Sequence, residues 1–341
     1  MKKILMIICC LFLVACTDEV STVSKEQTLE KMGYNSSEIE LIITEEDCYE
    51  TALRTYNKNI SLLMANENFI KDNLDNYLTY INNYNSSIDE TIIIVNKGIT
   101  DYYHQELVNI LNEKYYLDRN LERYIAYLKN NSNLSSDKII SNVNVNLDSD
   151  YYTNIKETDT SLGILMLVNK YHKLPEDYLP ENLRVIKSLY NRGSNGKLME
   201  EVALAFEEMA AAALLDNITI TNLSAYRSHD LQGRLYNGYV KRDGVKAADT
   251  YSARPGHSEH ETGLCLDVNN INDTFQYTEQ YKWLVKNCYK YGFIERYPEG
   301  KEDLTGYKYE SWHYRYVGKE IANYIHENNI TFDEYYSYFI E

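Results

Sequence analysis

The stretch HSEHETGLCLDV, residues 257–268, packs two imidazoles, three carboxylates and one thiol into twelve positions. His260 and Asp267 stand seven residues apart, and Gly263 between them permits a tight turn, so both side chains can face one point. Imidazole and carboxylate are donors that Zn2+ accepts, and a catalytic zinc site keeps three protein ligands and one open position. The third donor must come from elsewhere in the chain. ESWHYRYVG, residues 310–318, offers His313, with Glu310 three positions before it. On a strand, His313 and Arg315 share one face while Trp312, Tyr314 and Tyr316 point the other way. Glu310, just ahead of that strand, is placed to act on water as a base rather than to bind the ion. His257 is a rival ligand, because one helical turn would put it on the same face as His260. Four of the seven histidines (His229, His257, His260 and His313) fall within residues 226–315.

These side chains need strands and turns to hold them. Residues 263–268 and 312–317 read as strands, and residues 279–291 as a helix between them. Residues 218–226, ITITNLSAY, alternate as a half-buried strand does. Ser228 can cap a following helix that carries Leu231, Leu235 and Tyr239 and ends at Asp243-Gly244. Residues 198–215 form an Ala-rich helix, and the last twenty residues read as a packed helix and tail. Helices and strands mixed without a βαβ rhythm predict an α+β fold.

The first half of the chain is different. From about residue 29 to 160 the pattern is helical and repeats. NLDNYLTYIN (73–82) and NLERYIAYLK (120–129) match, and each places apolar residues at i, i+3, i+4 and i+7. Asn35-Ser36-Ser37, Asn85-Ser86-Ser87 and Leu134-Ser135-Ser136 recur at intervals of 50 and 49 residues. Ser37 with Glu40, and Ser87 with Glu90, have the spacing of a capping box. Repeats of this length stack into small arrays. No catalytic constellation falls among them, and a spacer role is expected.

From about residue 165 onward the chain resembles the VanY/LdcB family of zinc D-alanyl-D-alanine and L,D-carboxypeptidases. The likeness rests on four motifs in order: SAYRSHDLQGRLY (224–236), YSARPGHSEHETGLCLDV (251–268), YKWLVKNCYKYGFIERYPEGKEDLTGY (281–307) and ESWHYRYVG (310–318). The resemblance implies an α+β domain of the Hedgehog/D-Ala-D-Ala-peptidase type, with Zn2+ held by His260, Asp267 and His313. It makes Glu310 the catalytic base and Arg227 the residue that meets the substrate, at either the developing oxyanion or the terminal carboxylate. Ser228, Gln232 and Ser258 lie in the matching motifs as candidates to line the peptide groove. Cys265 stands where a small residue such as Ala is common. Its strand parity puts it on the side of Asp267, and packing filler is the expected role. The implied substrate is the peptidoglycan stem peptide, cut by D,D cleavage of a pentapeptide or L,D cleavage of a tetrapeptide. A zinc endopeptidase of the same material and a non-enzymatic wall-binding module are the alternatives.

Composition and the N-terminus complete the expectation. In 341 residues, 34 Lys+Arg stand against 51 Asp+Glu, a net charge of −17 at pH 7, which argues against nucleic acid as a partner. Lys2 and Lys3 precede an apolar run, residues 4–14, that is too short to span a bilayer, and Leu13-Val14-Ala15-Cys16 closes it as a bacterial lipobox does. The expected layout is a signal peptide (1–15), a tether (16–28), helical repeats (29–160) and the zinc carboxypeptidase domain (161–341). The chain would be anchored by lipid at Cys16 on the outer face of a bacterial membrane. GSNGKL at 193–198 is too short for a phosphate loop, and no GxSxG elbow is present.

Overall fold

Alternating apolar and polar residues around Asp267 and His313 set up two short strands whose opposite faces want different neighbours. The computed structural model describes residues 23–193 and 195–341, so the expected signal segment and Cys16 lie outside the described residues. The chain divides into two compact units, residues 1–108 and 109–341.

In the first unit six helices are described: α1 (Lys25–Met32), α2 (Ser36–Ile42), α3 (Glu46–Arg54), α4 (Asn59–Met64), α5 (Leu74–Tyr84) and α6 (Ile88–Val95). The α6 cap is the expected capping box, with Ser87 and Glu90 exchanging bonds. At α2 the box is instead made by Asn35 and Glu38, two residues earlier than the spacing of Ser37 and Glu40 predicts, because Asn35 Oδ1 reaches two backbone N–H groups at once. α7 (Gln105–Asn112) runs across the division, and α8 (Leu121–Asn130) and α9 (Ser136–Asn144) follow. The repeat is visible in hydrogen bonds. Asn96 Oδ1 accepts from Asn73 and from the Tyr77 hydroxyl in the first unit. Asn144 Oδ1 accepts from Asn120 at 2.8 Å and from the Tyr124 hydroxyl at 2.5 Å in the second.

The second unit therefore starts well before residue 161, and the expected domain boundary falls inside it. The reason is packing. α9 lies against the last helix, α16 (Phe332–Phe339), where Ser141 donates to Glu334 at 2.7 Å and Tyr115 stacks on Tyr338. Ahead of the main sheet come two minor pairs, parallel β1 (Lys156–Glu157) with β2 (His172–Lys173), and antiparallel β3 (Leu183–Val185) with β4 (Lys197–Met199). The main sheet has four antiparallel strands: β5 (Asn222–Ser224), β6 (Cys265–Val268), β7 (Phe293–Glu295) and β8 (His313–Tyr316), in the order β5-β6-β8-β7. The expected strand over 218–226 shrinks to three residues, since Asn217 takes a left-handed φ of 61° and the β5–β6 register slips between Asn222 and Ser224. β7 was not expected.

One sheet face is apolar. Leu264, Leu266, Val268, Phe293, Tyr314 and Tyr316 pack there with Val202, Phe206, Met209 and Ala213 of α10 (Glu200–Leu215). α11 (His229–Asp243) is capped by the Ser228 hydroxyl, which accepts from Leu231 N–H at 3.4 Å. The remaining helices are α12 (Val245–Ala248), α13 (Glu279–Asn287), α14 (Glu302–Thr305) and α15 (Lys319–Asn328). Among the described residues no helix is long and apolar enough to cross a membrane.

Candidate metal centre

On the other face of the sheet, register does the positioning. Asp267 lies opposite His313, and Cys265 opposite Arg315, so all four side chains issue from one side. His260 comes from a tight turn, Glu259–Thr262, that ends at Gly263 with φ 71°. A side chain at Gly263 would be strained in that conformation and would meet Leu183 Cδ2 at 2.9 Å, so the turn that aims His260 requires glycine. The three expected ligands then converge. Asp267 Oδ1 is 3.0 Å from His313 Nδ1, Asp267 Oδ2 is 3.4 Å from His260 Nε2, and the two imidazole rings are 5.0 Å apart.

Each histidine has its outer nitrogen held. His260 Nδ1 bonds the Ala225 carbonyl at 2.7 Å, leaving Nε2 to face Asp267. His313 Nε2 lies 3.4 Å from Glu259 Oε2. Carbonyl and carboxylate partners of this kind fix the orientation of ligating imidazoles and raise their basicity. Glu259 is itself locked: its Oε1 accepts from Arg296 Nε at 2.7 Å and Arg315 Nη1 at 2.9 Å, with all three side chains wholly buried. Arg296 continues to Asp333 at 2.6 Å, and Arg315 donates to the carbonyls of Ile164 and Met166 at 2.9 Å.

The donor set fits a cation. Burial drives the imidazoles toward the neutral form, yet Cys265 and Asp267 outweigh it and hold His260 up at about 9. His313 is likewise raised, against its burial, by Cys265, Asp267 and Glu259. Without a metal, protons on the two rings thus take the place of positive charge that the anions around them call for. Burial acts to raise Asp267, but the two imidazoles keep it well below the usual carboxylate range. Among the described residues two donor trios are close enough to hold an ion: Asp267, Glu310 and His313, and His260, Cys265 and His313, with the atoms of each trio within 4.8 Å of one another.

Glu310 stands at the rim. Its Oε2 is 3.9 Å from His313 Nδ1, its side chain is 17% exposed, and its backbone N–H donates to the Tyr297 carbonyl. Burial first, then the charges of Asp267 and Cys265, raise its carboxyl to about 7 in spite of the two histidines. Arg227 follows β5, tied by its N–H to the His260 carbonyl. Its guanidinium donates to Gln232 Oε1 at 2.8 Å and Ser224 Oγ at 3.3 Å, and Gln232 is anchored in turn on the Ala253 carbonyl at 2.6 Å. A cavity of about 270 Å³ opens over these groups, and among the described residues Arg227 is the only lysine or arginine in its lining.

The remaining sequence candidates separate here. Gln232 and Ser258 line the cavity, whereas the Ser228 hydroxyl is used as the cap of α11 and is not part of the lining. His257 Nδ1 bonds the Asn169 carbonyl at 2.8 Å, its ring packs edge-on against Tyr152, and it belongs to neither donor trio. Sequence reasoning missed Glu259, Arg296 and Asp333. Only Arg315 left a signal, its shared parity with His313.

Residues 195–319 match the VanY family model, D-alanyl-D-alanine carboxypeptidase. The candidate carboxypeptidase YodJ of Bacillus subtilis (strain 168) is 38% identical over 210 residues, covering 57% of this chain and 77% of that one. The bifunctional D-Ala-D-Ala dipeptidase and D-Ala-D-Ala carboxypeptidase VanXYC of Enterococcus gallinarum is 32% identical, covering 52% and 95%. Among solved structures, that of the LdcB LD-carboxypeptidase superposes with a TM-score of 0.51 at 37% identity, over 55% of this chain and 91% of its own. Two relatives above 30% identity, each matched over more than two thirds of its own length, show that this chain belongs to the VanY family of D-alanyl-D-alanine carboxypeptidases.

Proposed function

We propose that this chain is a zinc carboxypeptidase that removes the C-terminal D-alanine of peptidoglycan stem peptides from the outer face of a bacterial membrane, where lipid on Cys16 anchors it. His260, Asp267 and His313 hold the ion, and zinc supplies polarisation of the scissile carbonyl and a water of lowered pKa. The chain's own groups do the rest. Glu310, raised toward neutrality by burial, accepts a proton from the attacking water and returns it to the leaving amine as the C–N bond breaks. Arg227 takes the terminal carboxylate of the substrate.

The observation that carries this reading is the single guanidinium in a cavity whose other charged lining groups are carboxylates and the two histidines. A carboxypeptidase must recognise a free terminal carboxylate, and a guanidinium held from behind by Gln232 and Ser224 presents its remaining N–H groups as a preformed fork. The helical unit is a spacer between anchor and enzyme.

The test is the purified chain with defined penta- and tetrapeptide muropeptides, read by mass spectrometry, with chelator and after zinc is restored. Loss of one terminal alanine, abolished by chelator and regained with zinc, is expected. The preferred substrate assigns D,D or L,D cleavage. Cleavage within the peptide, or none at all from the zinc-loaded chain, would overturn the reading. Arg227→Met should lose most of the discrimination between free-acid and amidated termini. In cells, Cys16→Ala should abolish labelling by a palmitate analogue.

A further inference from the structure

Cys265 does not behave as packing filler. The apolar cluster of the sheet takes Leu264, Leu266 and Val268 from this stretch and leaves Cys265 out, although it is fully buried. Cys288, by contrast, belongs to that cluster. Strand parity turns Cys265 to the side of Asp267, and register places it opposite Arg315, one pair along from Asp267 and His313. There its sulfur lies within 4.8 Å of a nitrogen of His260 and a nitrogen of His313. Zinc–sulfur and zinc–nitrogen bonds at a tetrahedral angle put the two donors about 3.6 Å apart, so closing this trio on an ion needs movement of no more than about 1 Å.

We propose that Cys265 is a fourth protein donor to the ion held by His260, Asp267 and His313. The inference rests on the zinc reading above and deepens it. On binding, the thiol releases its proton to solvent and the sulfur takes a coordination position. A two-imidazole, one-carboxylate, one-thiolate set selects zinc-like ions over magnesium or calcium, which prefer oxygen alone. Cys265 therefore tightens the hold on the ion, while Glu310 and Arg227 act on the substrate.

Cobalt(II) is the probe, because thiolate coordination gives it a near-ultraviolet charge-transfer band separate from its visible d–d bands. The full chain and its Cys265→Ala variant are each loaded with cobalt and their absorption compared. The expected result is a charge-transfer band in the native protein that is lost in the variant while the d–d bands persist. Native protein with d–d bands and no charge-transfer band would overturn this inference and leave the His260, Asp267 and His313 assignment standing. Retention of the charge-transfer band in the variant would also overturn it, by placing the sulfur elsewhere. A native protein that takes up no cobalt would count against both readings. Should Cys265→Ala fail to fold, Cys265→Ser keeps the side-chain size and gives the same comparison.

Discussion

The two faces of the four-stranded sheet treat buried carboxylates in opposite ways. On the metal side, Glu259 meets two guanidinium groups and a histidine, and although burial acts to raise it, Arg296 and Arg315 hold it well below the usual carboxylate range. On the apolar side, Glu295 lies opposite Tyr314 with one carboxylate oxygen unpartnered among the described residues, and burial pushes it up to about 7. One carboxylate is fixed as an ion because cations converge on it. The other sits among hydroxyls, the Cys288 thiol and the Glu299 carboxylate, none of which supplies a positive charge. The strands are the same, and what differs is whether non-local partners arrive to neutralise the charge.

The largest effect belongs to the rim of the metal face. Glu310→Gln keeps the side-chain shape and removes the proton acceptor, so kcat should fall about 10³-fold while zinc stoichiometry, measured by atomic absorption, stays at the native value. Loss of zinc together with activity would move Glu310 into the ligand set and break the division between ligands and base. Next comes Glu259→Gln, an isosteric change that leaves Arg296 and Arg315 buried without their shared counter-charge. Urea denaturation should show a loss of about 3–5 kcal/mol. Zinc affinity in the folded variant should fall about 10–100-fold, because His313 loses the partner of its outer nitrogen. An affinity at the native value would make Glu259 a stability element with no part in orienting His313.

How much of this could be read from the sequence follows the same division between local and non-local. That Cys265 shares a face with Asp267, and Arg315 with His313, was legible because parity on short strands fixes which side chains lie together; that the two strands pair in register was not. The Glu259 cluster was not. Its partners lie 37, 54 and 56 residues away, and no spacing rule connects a turn to two later strands. The helical half teaches the same lesson. The matched NLDNYL and NLERYI stretches announce a repeat, and their buried Tyr77 and Tyr124 mark the helix faces. Their acceptors, Asn96 and Asn144, stand 19 and 20 residues later at the end of the next helix and carry no motif of their own. The packing of α9, ahead of the expected boundary at residue 160, is equally non-local. Ser141 finds Glu334 193 residues later, so α9 is held by the chain's last helix rather than by its neighbours in sequence alone.

The same Glu-to-Gln exchange on the apolar face should act with the opposite sign. Because the folded pKa of Glu295 is raised from 4.5 to about 7, its contribution to stability is intact below the ordinary carboxylate range and is lost as pH rises through 7. Glu295→Gln removes that loss. The variant should be more stable than the native chain at pH 8, by up to about 3 kcal/mol, and indistinguishable from it at pH 4. Urea midpoints at the two pH values measure this directly. A variant less stable at pH 8 would show that Glu295 has a cationic partner in solution, and the contrast between the faces would vanish.

The smallest effect isolates what a lone hydroxyl costs on that face. Tyr314 is fully buried, and its hydroxyl has no hydrogen-bond partner among the described residues. Leaving such a group unsatisfied costs about 1–3 kcal/mol, so deleting it should cost nothing and can return part of that penalty. Tyr314→Phe is therefore expected to be neutral or stabilising by about 1 kcal/mol at pH 8, where Glu295 is mostly ionised. A variant less stable than the native chain would show that the hydroxyl has a partner in solution. An ionised carboxylate is the stronger acceptor for a phenol O–H, so a partnership with Glu295 would make that loss larger at pH 8 than at pH 5 and would remove it in a Glu295→Gln background.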